Sequence, residues 1–403
     1  MKTIEFHILQ NFPPSNLNRD DSGAPKDCDF GGHRRQRISS QCLKRSVRQS
    51  DLFRELMTDR LGIRTKRAPE EVAKLLVKQG HPQDQAKAVA REFFDALYGI
   101  NDKGNTDYLL YVGPEELGRA ATLLHEAGGE TGALATKLTT LRAQHDKLPK
   151  KEKEAKKKEI DEAAKPFATL AEQYKSTYPK HVRAVDVALF GRMLADNPAE
   201  NIDAACQVSH ALSVNRMNME FDYFTAVDDL QPADNAGAGM IGTVGFSSSC
   251  FYRFACVDLG QLTRNLGGDA KAAGEGVLAF AEAFVQARPS GKQNTFAAHS
   301  LPGLVMVVVR ESGQPVSLAN AFEKPVLPST DESLTDKAIA ALGTHYGKLK
   351  RMYGLDGQAA CVVLDPETNT HQALVSAGVA LLDNVPALLG TLKSSLTANP
   401  VSA

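Results

Sequence analysis

The sequence has no tryptophan, only 6% aromatic residues and almost no net charge, with 47 Lys+Arg against 48 Asp+Glu for a formal −1. Without a cationic excess, the overall charge nominates no nucleic acid, membrane surface or acidic partner. So few aromatics leave few platforms for stacking bases. The six cysteines (Cys28, Cys42, Cys206, Cys250, Cys256, Cys361) form no CxxC pair and no zinc spacing; they read as reduced, mostly buried small hydrophobes. No apolar run approaches the ~20 residues that cross a bilayer. The first eight residues carry neither an apolar signal core nor a small-residue cleavage site, so the expectation is a cytoplasmic protein with no membrane partner. A Walker GxxxxGK[ST] and the ribonucleoprotein octamer are both missing, which argues against a nucleoside triphosphate and against standard aromatic base readout. The ten histidines show no HxxxH or triad logic, and no catalytic residue, metal site or cofactor is expected.

What is present is an ordinary globular composition, 42% hydrophobic and 24% charged, over 403 residues. That length allows one large core with insertions or two to three domains. Residues 3–10 alternate, with Ile4, Phe6 and Ile8 on one face and Glu5, His7 and Gln10 towards the other, which predicts a half-buried strand. Residues 11–37 hold Pro13-Pro14, Gly23, Pro25 and Gly31-Gly32 with little periodicity and read as a long functional loop. Helical patterns then run from about Ser39 to about residue 180. They include 70–79, 84–97 and a lysine-rich solvated stretch, 146–165, with Glu152/Lys156, Glu154/Lys158 and Asp161/Lys165 at i,i+4. Strand patterns return at 185–189, 207–214, 221–227, 250–257 and 304–309, interrupted by helical patterns at 269–287 and 336–352. Gly237–Gly245 lacks the context of a dinucleotide fingerprint and reads as a flexible loop. The whole predicts an α+β fold whose sheet is assembled from both ends of the chain.

The positive charge is concentrated. From Phe30 to Ser50 there are six Lys/Arg and no acid. Ser39 or Ser40 is a natural N-cap, and Gln41, Lys44, Arg45 and Arg48 at i, i+3, i+4 and i+7 form a polar stripe away from Leu43 and Val47. Together with the Gly31-Gly32 loop before it, such a helix suits a row of phosphates: Arg forks onto a phosphate, and Lys offers a movable point charge. The acids Asp20, Asp21, Asp27 and Asp29 beside it read as loop-capping and ion-pairing groups, with Mg²⁺ binding as the alternative.

These residues also resemble a known family. Asn18-Arg19-Asp20-Asp21, Phe30-Gly31-Gly32, Arg34-Arg35, 37–41 and Leu43-Lys44-Arg45 are similar to the N-terminal signature of the CasC family, the repeated backbone subunit of the type I-E CRISPR Cascade complex. Segments 188–193, 224–231, 246–248 with 251–253, and 320–324 agree in order and spacing. The resemblance implies a ferredoxin-like, RRM-related palm (1–55, 181–205, 246–403), an inserted helical domain (56–180) and a β-hairpin thumb (206–245). It implies a non-catalytic subunit that stacks with further copies of itself along guide RNA (crRNA), beside other Cascade subunits, and meets target DNA through the guide. By this likeness Lys26, Ser39, Ser40, Gln41, Lys44 and Arg48 hold the guide backbone, with Arg19 and Arg45 as further contacts, while Met193, Tyr223 and Phe224 prise bases apart. Two alternatives stay open: a relative of the type III backbone subunits that cuts RNA with a loop Asp and a metal, and a generic RNA-binding protein outside CRISPR systems.

Overall fold

A computed structural model describes residues 2–194, 197–226, 229–230 and 240–398. The chain forms two compact units, one of Met1–Leu56, Ala205–Leu262 and Ala270–Ala403, the other of Met57–Ala204 and Thr263–Asp269.

The first unit opens with β1 (Thr3–Ser15), β2 (Asp27–Phe30), β3 (His33–Ile38), α1 (Ser40–Gln49) and α2 (Asp51–Leu56). The second supplies β4 (Ile63–Thr65), α3 (Ala68–Lys78), α4 (Gln83–Tyr98), β5 (Leu110–Val112), α5 (Pro114–Glu126), α6 (Gly129–Lys147), α7 (Lys150–Ser176) and α8 (Val185–Phe190). Then follow β6 (Cys206–Val208), β7 (Ala211–Ser213), β8 (Glu220–Ala226), β9 (Met240–Asp258), α9 (Leu259–Asn265), α10 (Ala270–Gln286) and α11 (Gln293–Phe296). The chain ends with β10 (Leu304–Arg310), α12 (Leu334–Tyr353), β11 (Gln358–Val363), α13 (Gln372–Ser376), β12 (Ala380–Leu381) and α14 (Val385–Ala398).

The sheet of the first unit runs β12-β11-β10-β1-β9-β7-β3-β2, with β6 and β8 also on β9; β11–β12 is its one parallel pair among the described residues. It joins strands from both ends of the chain, as the α+β expectation required. β1 is not half-buried as its alternation predicted. It sits between β9 and β10, with Ile8 opposite both Arg253 and Val305. Phe6 meets Phe280 and Phe284 of α10 edge-on at 5.5 and 6.4 Å, while Leu9 faces the cluster built on α12. Its polar residues are therefore buried and paired: Glu5 takes Arg310 Nε at 2.6 Å and the Val316 N–H at 2.9 Å, and His7 bonds the Tyr252 hydroxyl at 2.8 Å. Burial pushes the Glu5 carboxyl up, but hydrogen bonds from His7 and Arg310 outweigh it and hold it below its ordinary value.

The fold departs from the sequence expectation at three places. The long loop at 11–37 is largely strand, because β1 continues to Ser15 and 27–38 folds as the β2–β3 hairpin; its Gly31 and Gly32 both take positive φ (59° and 74°), the chemistry of a two-residue turn. The apolar run at 185–189 is the helix α8, buried all round, so it carries no period with which to tell it from a strand. Within Gly237–Gly245, residues 240–245 are strand β9 paired to β8, and 237–239 lie outside the described residues.

The second unit is helical, with its own core around Phe93, Phe167, Leu138 and Leu124. The lysine-rich stretch belongs to α7, whose ion pairs are i,i+3 (Lys156–Glu159, Lys165–Glu162) and not the i,i+4 pairs expected. Residues 181–204 lie in this unit, which differs from the boundary drawn at 180. Val185 N–H bonds the Arg60 carbonyl at 2.7 Å, and Asp186 Oδ1 takes the Gly62 N–H at 2.6 Å, tying α8 to this unit. Among the described residues no helix is long and apolar enough to cross a membrane.

Candidate nucleic-acid interface

Helix α1 starts where Ser39, extended at φ −67° and ψ 149°, accepts the Cys42 N–H on its hydroxyl at 3.2 Å. The Ser39 N–H is in turn held by Asn18 Oδ1 at 2.8 Å, which ties the cap to the segment carrying Arg19. Leu43 and Val47 are buried, and Ser50 closes the helix with its N–H on the Val47 carbonyl at 3.1 Å. Gln41 and Arg45 are exposed, and Ser39, Ser40, Lys44 and Lys26 are half-buried.

Arg48 is the exception to the expected stripe: it is 9% exposed and counts with Leu43 and Val47 on the buried side. At about 100° per residue, Lys44 and Arg48 lie about 100° and about 60° around the helix from Arg45, so the i+3/i+4 grouping takes in the flank as well as the outer face. The Gly31-Gly32 turn does not run directly into the helix, because β3 lies between them. It caps the β2–β3 hairpin; both glycines are exposed, and a Cβ would come within 1.9 Å of the Glu323 carbonyl oxygen at Gly31 while Gly32 faces open space. Of the other cations in the run, Arg34 pairs with Asp27 at 2.7 Å, and Arg35 is fully buried, donating to the Ser213, Val214, Phe322 and Glu323 carbonyls.

Arg37 remains at the surface, sharing a 2.8 Å hydrogen bond with His210 Nδ1. Partial burial and the charges of Arg37 and Lys26 hold the His210 imidazole below its ordinary pKa. Burial raises the Cys42 thiol while Arg45 and Lys26 pull against it. Lys26 thus acts on His210 together with Arg37 and on Cys42 together with Arg45. Asp20 and Asp21 line the cavity beside Arg19 and Arg45, and Asp20 accepts the Ser22 hydroxyl and the Ser22 and Ala24 N–H groups, which lower its pKa. Arg19 is exposed beside a cavity of about 440 Å³ that Arg45, Ser46 and Cys42 also line. Sequence reasoning missed Arg37 and His210; Arg37 lay inside the basic run, but nothing in the sequence marked His210 as its partner across β3 and β7.

Two apolar features stand out. Met193 is 84% exposed. It follows Gly191 at φ 75°, where a Cβ would meet Ala204 N and the Ile202 oxygen at 2.9 Å, and Arg192, which is buried. Arg192 donates to the Glu200 and Tyr111 carbonyls, to the Tyr178 hydroxyl and to both Glu116 oxygens (2.8 and 3.0 Å). One inward guanidinium and one glycine turn hold the next side chain outward. On the β8–β9 hairpin, Phe221 and Tyr223 share a face and are 68% and 63% exposed. Phe224, on the opposite face, is half-buried with its ring over Gly242, where a Cβ would approach to 2.4 Å. Phe221 escaped the sequence reading, although its spacing of two from Tyr223 was visible. Val227, Asp228 and Gln231, expected in the same motif, lie outside the described residues.

Among the described residues there is no group of three or more His, Cys, Asp or Glu arranged to hold a metal ion. What the surfaces offer is cations, hydroxyls and backbone N–H groups for phosphates, and exposed apolar side chains for the faces of bases. Comparison with curated proteins gives no match. Among solved structures, the chain is similar to one in a "CRISPR RNA-guided surveillance complex, pre-nicking", with 31% identity and a TM-score of 0.76 over 98% of this chain and 100% of that one. It is also similar to one in a "CRISPR RNA-guided surveillance complex", with 26% identity and a TM-score of 0.59 over 98% and 99%. The family model described as CT1975-like protein matches residues 4–385, nearly the whole sequence, and the chain belongs to the CT1975-like protein family.

Proposed function

We propose that this chain is the CRISPR guide RNA-binding backbone subunit of a type I-E Cascade surveillance complex, a CasC, acting in antiviral defence. The observation that carries the reading is end-to-end similarity to a chain of an RNA-guided CRISPR surveillance complex, joined to a cation-bearing helix α1 with no carboxylate on its outer face. In this reading the sheet of the first unit is the ferredoxin-like, RRM-related palm and the β8–β9 hairpin is the thumb. Copies polymerise along the guide in the cytoplasm, beside other Cascade subunits. Lys26, Ser39, Ser40, Gln41, Lys44 and Arg45 grip phosphates, with Arg19 at the edge. Such contacts carry no sequence information, so one subunit serves any guide while base pairing selects the target DNA. Met193 and Tyr223 act as wedges that unstack bases and break the guide into segments.

The subunit is non-catalytic in this reading, in which the loop acids serve the fold: Asp20 Oδ1 caps its own turn and Asp27 pairs with Arg34. The test is binding to two RNAs of unlike sequence across a salt series, with electron microscopy of the products. Steeply salt-dependent, sequence-indifferent binding and filaments on RNA are expected. A flat salt response, a strong preference for one sequence, or cleavage of guide-complementary RNA in Mg²⁺ contradicts the proposal.

A further inference from the structure

The loop that follows α10 is built like a binding element. Among the described residues only three that are not glycine have positive φ, and two of them, Lys292 (53°) and Ala297 (46°), flank the short helix α11. Left-handed backbone at such residues is costly and persists where the surroundings enforce it. Here they do. Gly291 lies so close to the N-terminal segment that a Cβ would come within 2.3 Å of the Leu17 oxygen. Gln293 Nε2 donates to the Pro289 carbonyl at 2.9 Å and to the Ala298 carbonyl at 3.3 Å, closing the loop on itself. The Ser300 carbonyl takes Arg288 Nε at 2.9 Å and Gln10 Nε2 at 2.8 Å.

The fixed loop faces α1 across a cavity of about 560 Å³. Arg45 and Ser46 line it from α1, Arg288, Ser290 and His299 from the loop, and Asp51, the single acid, from the start of α2. Arg253 is buried and donates to Gln10 Oε1 and the Phe284 carbonyl, with no carboxylate partner among the described residues. Burial, and then the charge of Arg288, lowers the Arg253 pKa to about 9. The charge of Arg288 thus acts on Arg253, and the two guanidinium groups add to a positive field that favours an anion. Arg45, Ser46 and Ser290 also line the 440 Å³ cavity beside Arg19, which Asp20 and Asp21 line as well, so the two cavities share a wall on α1. Two neighbouring cavities with shared cationic lining suit successive phosphates of one chain better than a single phosphate.

We propose that the loop 287–299 is a second wall of the RNA track, in which Arg288 and His299 take phosphodiester groups of single-stranded RNA from the side opposite Arg45. Arg288 Nε is committed to the fold, and its two terminal nitrogens make the contact. This inference rests on the RNA-binding reading, and its test separates the two.

The full-length protein is titrated with a labelled single-stranded RNA of arbitrary sequence across a salt series, comparing wild type with Arg288→Ala, Arg288→Lys, His299→Ala and Lys26→Ala. Arg288→Ala is expected to weaken binding about tenfold and to lower the slope of log affinity against log salt by about 0.7. Arg288→Lys keeps the slope. Among the described residues His299 gives the fold a backbone N–H, to the Ala297 carbonyl at 2.8 Å, which alanine keeps, so His299→Ala tests the contact even if Arg288→Ala melts early. It is expected to weaken binding about threefold with an unchanged melting midpoint. If Lys26→Ala weakens binding while folded Arg288→Ala and His299→Ala match wild type in affinity and slope, this inference falls and the RNA-binding reading stands. Wild-type protein that binds no RNA overturns both.

Discussion

Arg192→Met strikes the anchor that holds Met193 outward. The guanidinium is 6% exposed and satisfies two backbone carbonyls, the Tyr178 hydroxyl and both Glu116 oxygens. Methionine refills part of the volume and none of the hydrogen bonds, leaving Glu116 as a buried charge whose remaining partner is the Gly113 N–H at 2.5 Å. Removing one member of a buried ion pair costs about 3–5 kcal/mol, against a total of about 5–15 kcal/mol for an ordinary domain. At about 2–4 °C per kcal/mol, the melting midpoint of the helical unit falls by roughly 6–20 °C. The loss also depends on pH. Burial already raises the Glu116 carboxyl above its ordinary value despite the pull of Arg192, and without Arg192 it rises further. A carboxyl whose folded pKa exceeds its unfolded one gives stability that is present at low pH and lost as pH rises through the folded value. The Arg192→Met defect in urea denaturation therefore grows as pH rises above the ordinary carboxyl range and through the raised folded value of Glu116. Adding Glu116→Gln removes the orphaned charge, recovers much of the loss and flattens the pH dependence. A loss below about 1 kcal/mol at neutral pH, or a defect independent of pH, refutes the reasoning.

Gly31→Ala places a Cβ against the Glu323 carbonyl at a residue with φ 59°, so it should destabilise the first unit by at least about 2 kcal/mol in chemical denaturation. A neutral result would show that the β2–β3 turn is not packed there. Arg45→Ala and Arg48→Ala separate the outer face of α1 from its flank: the exposed Arg45 should cost RNA affinity with no change in melting midpoint, while the buried Arg48 should lower the midpoint. On the hairpin, Phe224→Ala exposes Gly242 and should increase hydrogen exchange across β8 and β9. Tyr223→Ala should leave exchange unchanged and alter the chemical reactivity of bound RNA.

The fold was legible where periodicity was strong. Helices α3, α4, α10 and α12 and strands β8 and β10 lie within a few residues of their expected positions. It was illegible where burial erased the period: β1, covered on both faces, looked half-exposed because Glu5 and His7 are polar, yet Arg310 and Tyr252 pair with them from distant strands. At the candidate site, the Ser39 cap and the exposure of Gln41 and Arg45 follow from local spacing. The burial of Arg48 does not, since the sequence does not say how wide an arc of α1 its neighbours cover. The exposure of Met193 is likewise a tertiary fact, produced by the inward turn of Arg192 next to it.

In the proposed function, copies of this chain hold a guide RNA by its backbone at regular intervals. The most direct test is nuclease digestion and chemical probing of RNA that copurifies with the protein from cells carrying a CRISPR array. One class of protected guide-length RNA, unrelated in spacer sequence, is expected, with single reactive nucleotides recurring at a constant spacing. Absence of RNA, or protected RNA of irregular length with no repeating reactivity, would contradict it.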